Sequence, residues 1–404
     1  MTWAERAAGL DAADPLAHLR SRFLDAPDVV AYLDGNSLGR PLAAAADGLA
    51  RFVHEEWAGR LIRGWDEGWM SWPEDVGDQL AAVALGAAAG QVVVADSTTV
   101  LLYKLARAAL DARPGRREIV VDAGDFPTDR YVVEGIAAER GCELRWLRTD
   151  PDAGVTPEQV AAAVGPATAL VLLSHVSYRS GWIVDAGAVT AVAHEAGALM
   201  LWDLSHSVGS VELALDAEGV DLAVGCTYKY LNGGPGAPAF GYVRRDLQEQ
   251  LRQPIQGWMG RLDPFAMGPG YVPAPGARRV VSGTPPILAM LPLRAQLDLL
   301  AEAGIAEVRA KSVRLTELAV AVADDLLAPL GVRVGSPRDA TRRGGHITLC
   351  HPAARDLVER LWARDVLPDF REPDGIRIGP APLSSSFTEL VRGLDVLREV
   401  LALR

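Results

Sequence analysis

Lys229 stands between two tyrosines in the stretch VGCTYKYLNGGPGAPAF (224–240), after an apolar run and before a series of glycines and prolines. Such a series forms neither helix nor strand, so the lysine falls where a strand ends and a pliable loop begins. An amine at a buried strand end loses hydration, which favours its neutral form. A neutral amine can bond to an aldehyde carbon. Asp203 closes an earlier apolar run, LMLWD (199–203). A carboxylate buried there needs a cationic partner. Pyridoxal phosphate asks for that pair of residues: a lysine for its aldehyde and an acid for its protonated ring nitrogen. A surface lysine and a helix-capping aspartate are the ordinary alternative.

Other residues suit the remaining parts of such a cofactor. Ser97, Thr98 and Thr99 open a helix after a strand in ADSTTVLLYK. Free backbone N–H groups and the helix dipole favour a phosphate there, and the same residues serve as simple N-caps. Phe126, in GDFPTDR, lies in a strand-end loop where an aromatic side chain can stack on a pyridine face or pack in the ordinary way. His206 follows Asp203 by three residues and either orients it, lies over the ring, or is structural. Arg377, in DGIRIGPAPL, alternates with Ile376 and Ile378 on a strand. Its planar guanidinium suits a substrate carboxylate, and a half-exposed strand arginine is the alternative.

The elements that must position these groups alternate. QVVVA (91–95), REIVVD (117–122), TALVLLS (168–174), LMLWD (199–203), LAVGC (222–226) and AFGYV (239–243) read as strands. STTVLLYKLARAAL (97–110), TPEQVAAAV (156–164) and AGAVTAVAHEAGA (186–198) read as helices. Nearly all-apolar strands separated by helices imply an α/β fold with a mostly parallel sheet covered on both faces. Function then gathers beyond the carboxyl ends of the strands, where DSTT, DFPTDR, SHVSYRSG, DLSHS and TYKY fall in turn. Residues 291–325 read as a long helical connection. GHITLC, AARDLVERLWARDV, GIRIGP and SFTELVRGLDVLREVLAL follow as a small C-terminal α/β domain. The expected division is an N-terminal segment over 1–50 packing with the small domain, a large domain over 51–290, and the small domain over 291–404.

Composition narrows the function classes. The 404 residues suit two domains, and the net charge of -12 argues against a nucleic-acid surface. Three cysteines, Cys142, Cys226 and Cys350, show no metal spacing and no disulfide framework, so a cytoplasmic enzyme without a metal is expected. The charged N-terminus reads as neither a signal peptide nor a membrane span, and no membrane association is expected.

The segment WDLSHSVGSVELALDAEGVDLAVGCTYKYLNGGPGAPAF resembles the cofactor-lysine region of kynureninases. YLDGNSLG (32–39), DFPTDRYV (125–132), QGWMG (256–260), SGTPPILAM (282–290) and GIRIGPAPL (375–383) resemble the same family in the same order. The resemblance implies the fold type I (aspartate aminotransferase) architecture, a large domain with a seven-stranded sheet between helices plus the small domain. It also implies pyridoxal 5'-phosphate as cofactor. Lys229 would hold the aldehyde and move protons at the substrate Cα, and Asp203 would pair with the ring nitrogen. Phe126 would stack on the ring, which Asp129 and His206 would line. Thr98, Thr99 and Tyr228 would hold the phosphate, with Tyr228 also an acid/base candidate and Ser174 a further contact. Trp258 and Thr284 match positions that reach a neighbouring subunit's site, which implies a homodimer. Arg377 would take the substrate carboxylate, and Trp65, in IRGWDEGW, would face the substrate's aromatic ring.

The implied reaction is hydrolysis of L-kynurenine or 3-hydroxykynurenine at Cβ–Cγ, in tryptophan catabolism. It gives anthranilate or 3-hydroxyanthranilate, with L-alanine. A paralogue acting on another ring-substituted kynurenine would use the same residues. A cysteine desulfurase would need a mobile thiol, for which only Cys350, in an apolar strand, is a candidate. A non-enzymatic scaffold would not need Lys229, Asp203 and Arg377 together. The loop GWMGRLDPFAMGPGYVP (257–273) would expose Trp, Met, Phe and Tyr unless another subunit covers it.

Overall fold

The computed structural model describes residues 1–403. The apolar runs form one seven-stranded sheet. Its strands are β1 (Val92–Ala95), β2 (Glu118–Asp122), β3 (Glu143–Leu147), β4 (Thr168–Ser174), β5 (Leu199–Asp203), β6 (Leu222–Gly225) and β7 (Ala239–Val243). Their spatial order is β1-β7-β6-β5-β4-β2-β3. All neighbours run parallel except β7, which is antiparallel to both β1 and β6.

Successive side chains enter opposite cores, as the pleat requires. Val171, Leu173, Met200 and Trp202 join one hydrophobic cluster, while Leu170, Leu172, Leu199 and Leu201 join the other. Each such fully buried side chain contributes about 1.5–3 kcal/mol. Helix α1 (Thr98–Asp111) covers the second face with Leu101, Leu102 and Leu105. It starts where Ser97 accepts a hydrogen bond from the Val100 N–H.

Two elements had no clear signature in the sequence. Strand β3 is the sheet edge, half exposed along ELRWL, so it lacks the apolar run of the inner strands. Helix α2 (Pro127–Arg140) begins directly after Phe126 with proline in its first turn. The connection over 291–325 is not one helix. It divides into α3 (Ile287–Ala303) and α4 (Ile305–Val322) at Gly304, whose φ of 76° and ψ of 128° leave the helical region.

Met290, Leu293 and Leu297 of α3 belong to the large core, whereas Leu315, Leu318 and Val322 of α4 belong to a third, C-terminal cluster. That cluster also holds Ala7, Ala31 and Leu33 from the N-terminus. Its sheet is antiparallel, in the order β10-β11-β9-β8. The strands are β8 (Arg333–Val334), β9 (Ile347–Cys350), β10 (Asp369–Arg371) and β11 (Gly375–Ile378).

The N-terminal segment ties the parts together. Ala31 and Tyr32 pair in parallel with Val366 and Leu367. The Gly39 N–H donates to the Tyr228 carbonyl at 2.9 Å, and Asn232 Nδ2 donates to the Arg40 carbonyl at 2.7 Å. A β-carbon at Gly39 would lie 2.4 Å from the Lys229 carbonyl oxygen, so glycine is what permits this approach.

Candidate functional site

The carboxyl ends of β1, β2, β4, β5 and β6 open on one cavity of about 160 Å³. The chain has three lysines, Lys104, Lys229 and Lys311, and all are buried. Lys104 is ion-paired with Asp96, and Lys311 with Asp14. Lys229 alone of the three faces the cavity. Its hydrogen bond runs between Nζ and His206 Nε2, at 2.9 Å. Nζ also lies 5.9 Å from the ring centres of Phe126 and of Tyr228.

The helix start at Ser97, Thr98 and Thr99 borders the same cavity, with the first N–H groups of α1 left without helical partners. Asp203, at the end of β5, and Asp129, in the first turn of α2, supply two buried carboxyl groups. Asp203 accepts from the Ser205 N–H at 2.8 Å. Asp129 accepts from Ser174 Oγ at 3.4 Å, and the Ser174 N–H reaches Asp125 at 3.3 Å. Burial, then the charge of Asp203, pushes Asp129 well above the ordinary carboxyl range. Burial, then Asp122, does the same to Asp125. Burial and like charge thus favour the neutral forms of Asp125 and Asp129.

Two imidazoles lie behind the lysine. The His206 and His346 rings are 5.4 Å apart, and both side chains are buried. Burial and then the Lys229 charge hold His206 well below its ordinary value, and burial and then Arg377 do so for His346. Both rings are neutral near pH 7. Nδ1 of His206 has no hydrogen-bond partner among the described residues. Burial raises the Tyr228 phenol, which keeps its proton and stays a donor. Phe126 is 37% exposed and meets Tyr178 edge-on at 5.5 Å.

The structure thus brings Thr98, Thr99, Phe126, Asp129, Ser174, Asp203, His206, Tyr228 and Lys229 to one cavity. Four other expected site residues stand elsewhere within the single chain. Arg377 lies in β11, fully buried and not half-exposed, because both faces of this strand are covered. Its guanidinium donates to Asp369 through Nε at 2.8 Å and through Nη2, to the Tyr178 carbonyl at 2.8 Å and to Ser37 Oγ at 2.7 Å. Trp65 lines a separate apolar groove of about 510 Å³ with Trp57, Ile62 and Leu288, and stacks edge-on to Trp69 at 5.4 Å. Trp258 is exposed against Phe265, and Thr284 is exposed.

Tyr178, Thr128 and Ser205 also line the cavity and were not singled out from the sequence. All three lie in strand-end stretches that the alternation of elements had marked. Cys350 is buried in β9, and burial raises its thiol. That is the reverse of an activated, mobile nucleophile.

A family model, the kynureninase C-terminal domain, matches residues 308–397. A kynureninase of Pseudomonas fluorescens is 41% identical over 99% of this chain and 96% of its own length. A kynureninase of Burkholderia pseudomallei (strain 1106a) is 41% identical over 98% of this chain and 95% of its own. Among solved structures, the apo cysteine desulfurase of Thermococcus onnurineus NA1 superposes with a TM-score of 0.83. It has 18% identity and covers 96% of this chain and 98% of its own. A C-DES mutant with glycine covalently linked to its PLP cofactor gives a TM-score of 0.82 at 19% identity, covering 95% and 98%.

Proposed function

The chain belongs to the kynureninase family, and from that premise we propose that it hydrolyses L-kynurenine, or its 3-hydroxy form, in tryptophan catabolism. Pyridoxal phosphate would occupy the Lys229 cavity. The observation that carries the reading is a buried lysine hydrogen-bonded to an imidazole, sharing one cavity with a buried carboxyl pair and the start of a helix.

The residues present fit that cofactor. The N-terminus of α1, with Thr98 and Thr99, suits a phosphate. Asp203 suits the ring nitrogen, and the open face of Phe126 suits the ring. When bound, the cofactor supplies an electron sink for the electrons left on Cβ as the bond breaks.

The chain's own groups do the rest. Lys229 holds the aldehyde carbon before substrate arrives and later moves the proton at the substrate Cα. His206, neutral, shares a hydrogen bond with the lysine and aligns it. The Tyr228 phenol, kept protonated by burial, is placed to give a proton. Asp129, its carboxyl raised by burial and by Asp203, lies beside the carboxyl that would meet the ring nitrogen. Arg377 serves the substrate carboxylate, its plane fixed by Asp369. Hydrolysis adds water across Cβ–Cγ. The hydroxyl joins Cγ, which leaves as the carboxyl of anthranilate, and a proton joins Cβ, which becomes the methyl of alanine.

The active form is read as a cytoplasmic homodimer. Trp258, Phe265 and Met267 lie exposed on one loop, and Trp57, Leu61 and Ile62 on another segment, more apolar surface than a monomer comfortably shows. Trp258 and Thr284 would serve the neighbouring subunit's site across that surface, and Trp65 would face the substrate's aromatic ring. Three free cysteines suit a reducing compartment.

The test is a visible spectrum of the cofactor-loaded protein before and after L-kynurenine, with anthranilate and alanine assayed. A cofactor band with both products is the expected result. A band without products moves the substrate to another ring-substituted kynurenine, and no band removes the cofactor.

A further inference from the structure

Lys104 is not a lining residue of the cavity, yet it is the most completely paired cation near it. It lies in α1, just inside the turn that carries Thr98 and Thr99, and its side chain is fully buried. An ammonium has three N–H donors. Here they meet Asp96 Oδ2, the Val280 carbonyl at 2.8 Å and Ser282 Oγ at 2.5 Å. One acid would be enough for the charge. The other two acceptors come from a segment far along the chain.

Each end of this link leads to a candidate site segment. Asp96 immediately precedes the Ser97–Thr99 cradle and has φ of +50°, a left-handed backbone that a β-carbon disfavours. Its side chain is anchored on Lys104, and its carbonyl accepts from the Ala239 N–H at 3.1 Å. The left-handed turn is thus fastened at both ends. At the other end, the Ser282 carbonyl accepts from the Met259 N–H at 3.3 Å. A β-carbon at Gly257 would stand 2.0 Å from that same oxygen, so the Trp258 segment and Ser282 touch backbone to backbone. Thr284 follows two residues on.

We propose that Lys104 is a positioning residue that couples the phosphate-side cradle of its own cavity to the Trp258 and Thr284 segments that complete the partner subunit's cavity. The inference rests on the homodimer reading above. The Asp96–Lys104–Ser282 link thereby holds the cradle and the lent segments in one fixed relation.

The test uses mixed dimers. One subunit carries Lys104→Met with Lys229→Ala, and its partner is unchanged. Only the unchanged subunit can hold the cofactor covalently. Its own cradle is intact, and its borrowed Trp258 and Thr284 come from the altered subunit. The measurement is the cofactor dissociation constant at that one site, read by absorbance. The comparison is a mixed dimer carrying Lys229→Ala alone. Binding weakened by about tenfold is expected. Equal constants would confine Lys104 to its own subunit and overturn the coupling while leaving the dimer standing. Light scattering that finds the loaded, unchanged protein monomeric overturns both. Should the Lys104→Met subunit fail to fold, Ser282→Ala with Lys229→Ala cuts only the far end of the link. A smaller loss is expected there, and equal constants again overturn the coupling.

Discussion

Lys104, on α1, and Lys229, in the loop after β6, are both buried, but their surroundings are opposite. Lys104 is saturated by a carboxylate, a carbonyl and a hydroxyl. Lys229 has a neutral imidazole, two ring faces and open space. Burial alone therefore does not make a lysine reactive. The difference lies in whether the fold supplies an acid. A fold keeps an amine so placed where a ligand will meet it, and Lys311, paired with Asp14 at 2.7 Å, shows the ordinary solution again.

The comparison can be broken at its reactive side first. Lys229→Ala should lose the visible cofactor band and lower turnover by about four orders of magnitude or more. Near-normal turnover would return Lys229 to the class of Lys104. On the paired side, Lys311→Met leaves Asp14 buried without its closest cation. Stability should fall by about 3 kcal/mol in denaturant titration, with kcat unchanged. A loss of kcat at full stability would mean that pairing does not mark a structural lysine. Arg377→Ala should raise KM for kynurenine about tenfold, with a smaller change in kcat. An unaltered KM would leave Arg377 as a partner of Asp369 only.

The smallest effect sharpens the acidic side. Asp129 has its folded value raised by burial and by Asp203, so the folded chain holds a proton that the unfolded chain has lost. The stability this group contributes is complete below the ordinary carboxyl range and is lost as pH rises through the raised value. In the cofactor-free protein, Asp129→Asn should remove that fall, so that the variant gains stability relative to the parent at the alkaline end. Thermal unfolding across pH would reveal it. Parallel pH curves for both proteins would place the proton elsewhere in the group.

The sheet was legible because its inner strands are continuous apolar runs, and the cavity was legible because strand ends collect there. Edge strand β3 alternates and carries charge, so it lacked that signature. The pairing of Arg377 with Asp369 was not legible. It depends on the register of β10 against β11, which sets Asp369 opposite Arg377. Nor could the sequence tell that Asp125 and Asp129 are buried deeply enough to keep protons. Both carboxyl groups meet Ser174, at the end of β4, which only the folded chain brings beside them. Trp65, Trp258 and Thr284 do not meet the cavity within one chain, so one chain's sequence pattern could place them only through the family resemblance.

The clasp between the N-terminus and the rest of the molecule also sets an order of events during synthesis. Gly39 must wait for Tyr228, and Ala31 for Val366, before either finds its partner. Contacts of such separation form late and slowly. The lysine loop therefore gains the Gly39 and Arg40 contacts only once residues 228–232 have been made, and the C-terminal strands fasten the N-terminal segment afterwards. The cavity itself is lined by residues 97–237, so its walls are made before that last clasp can close.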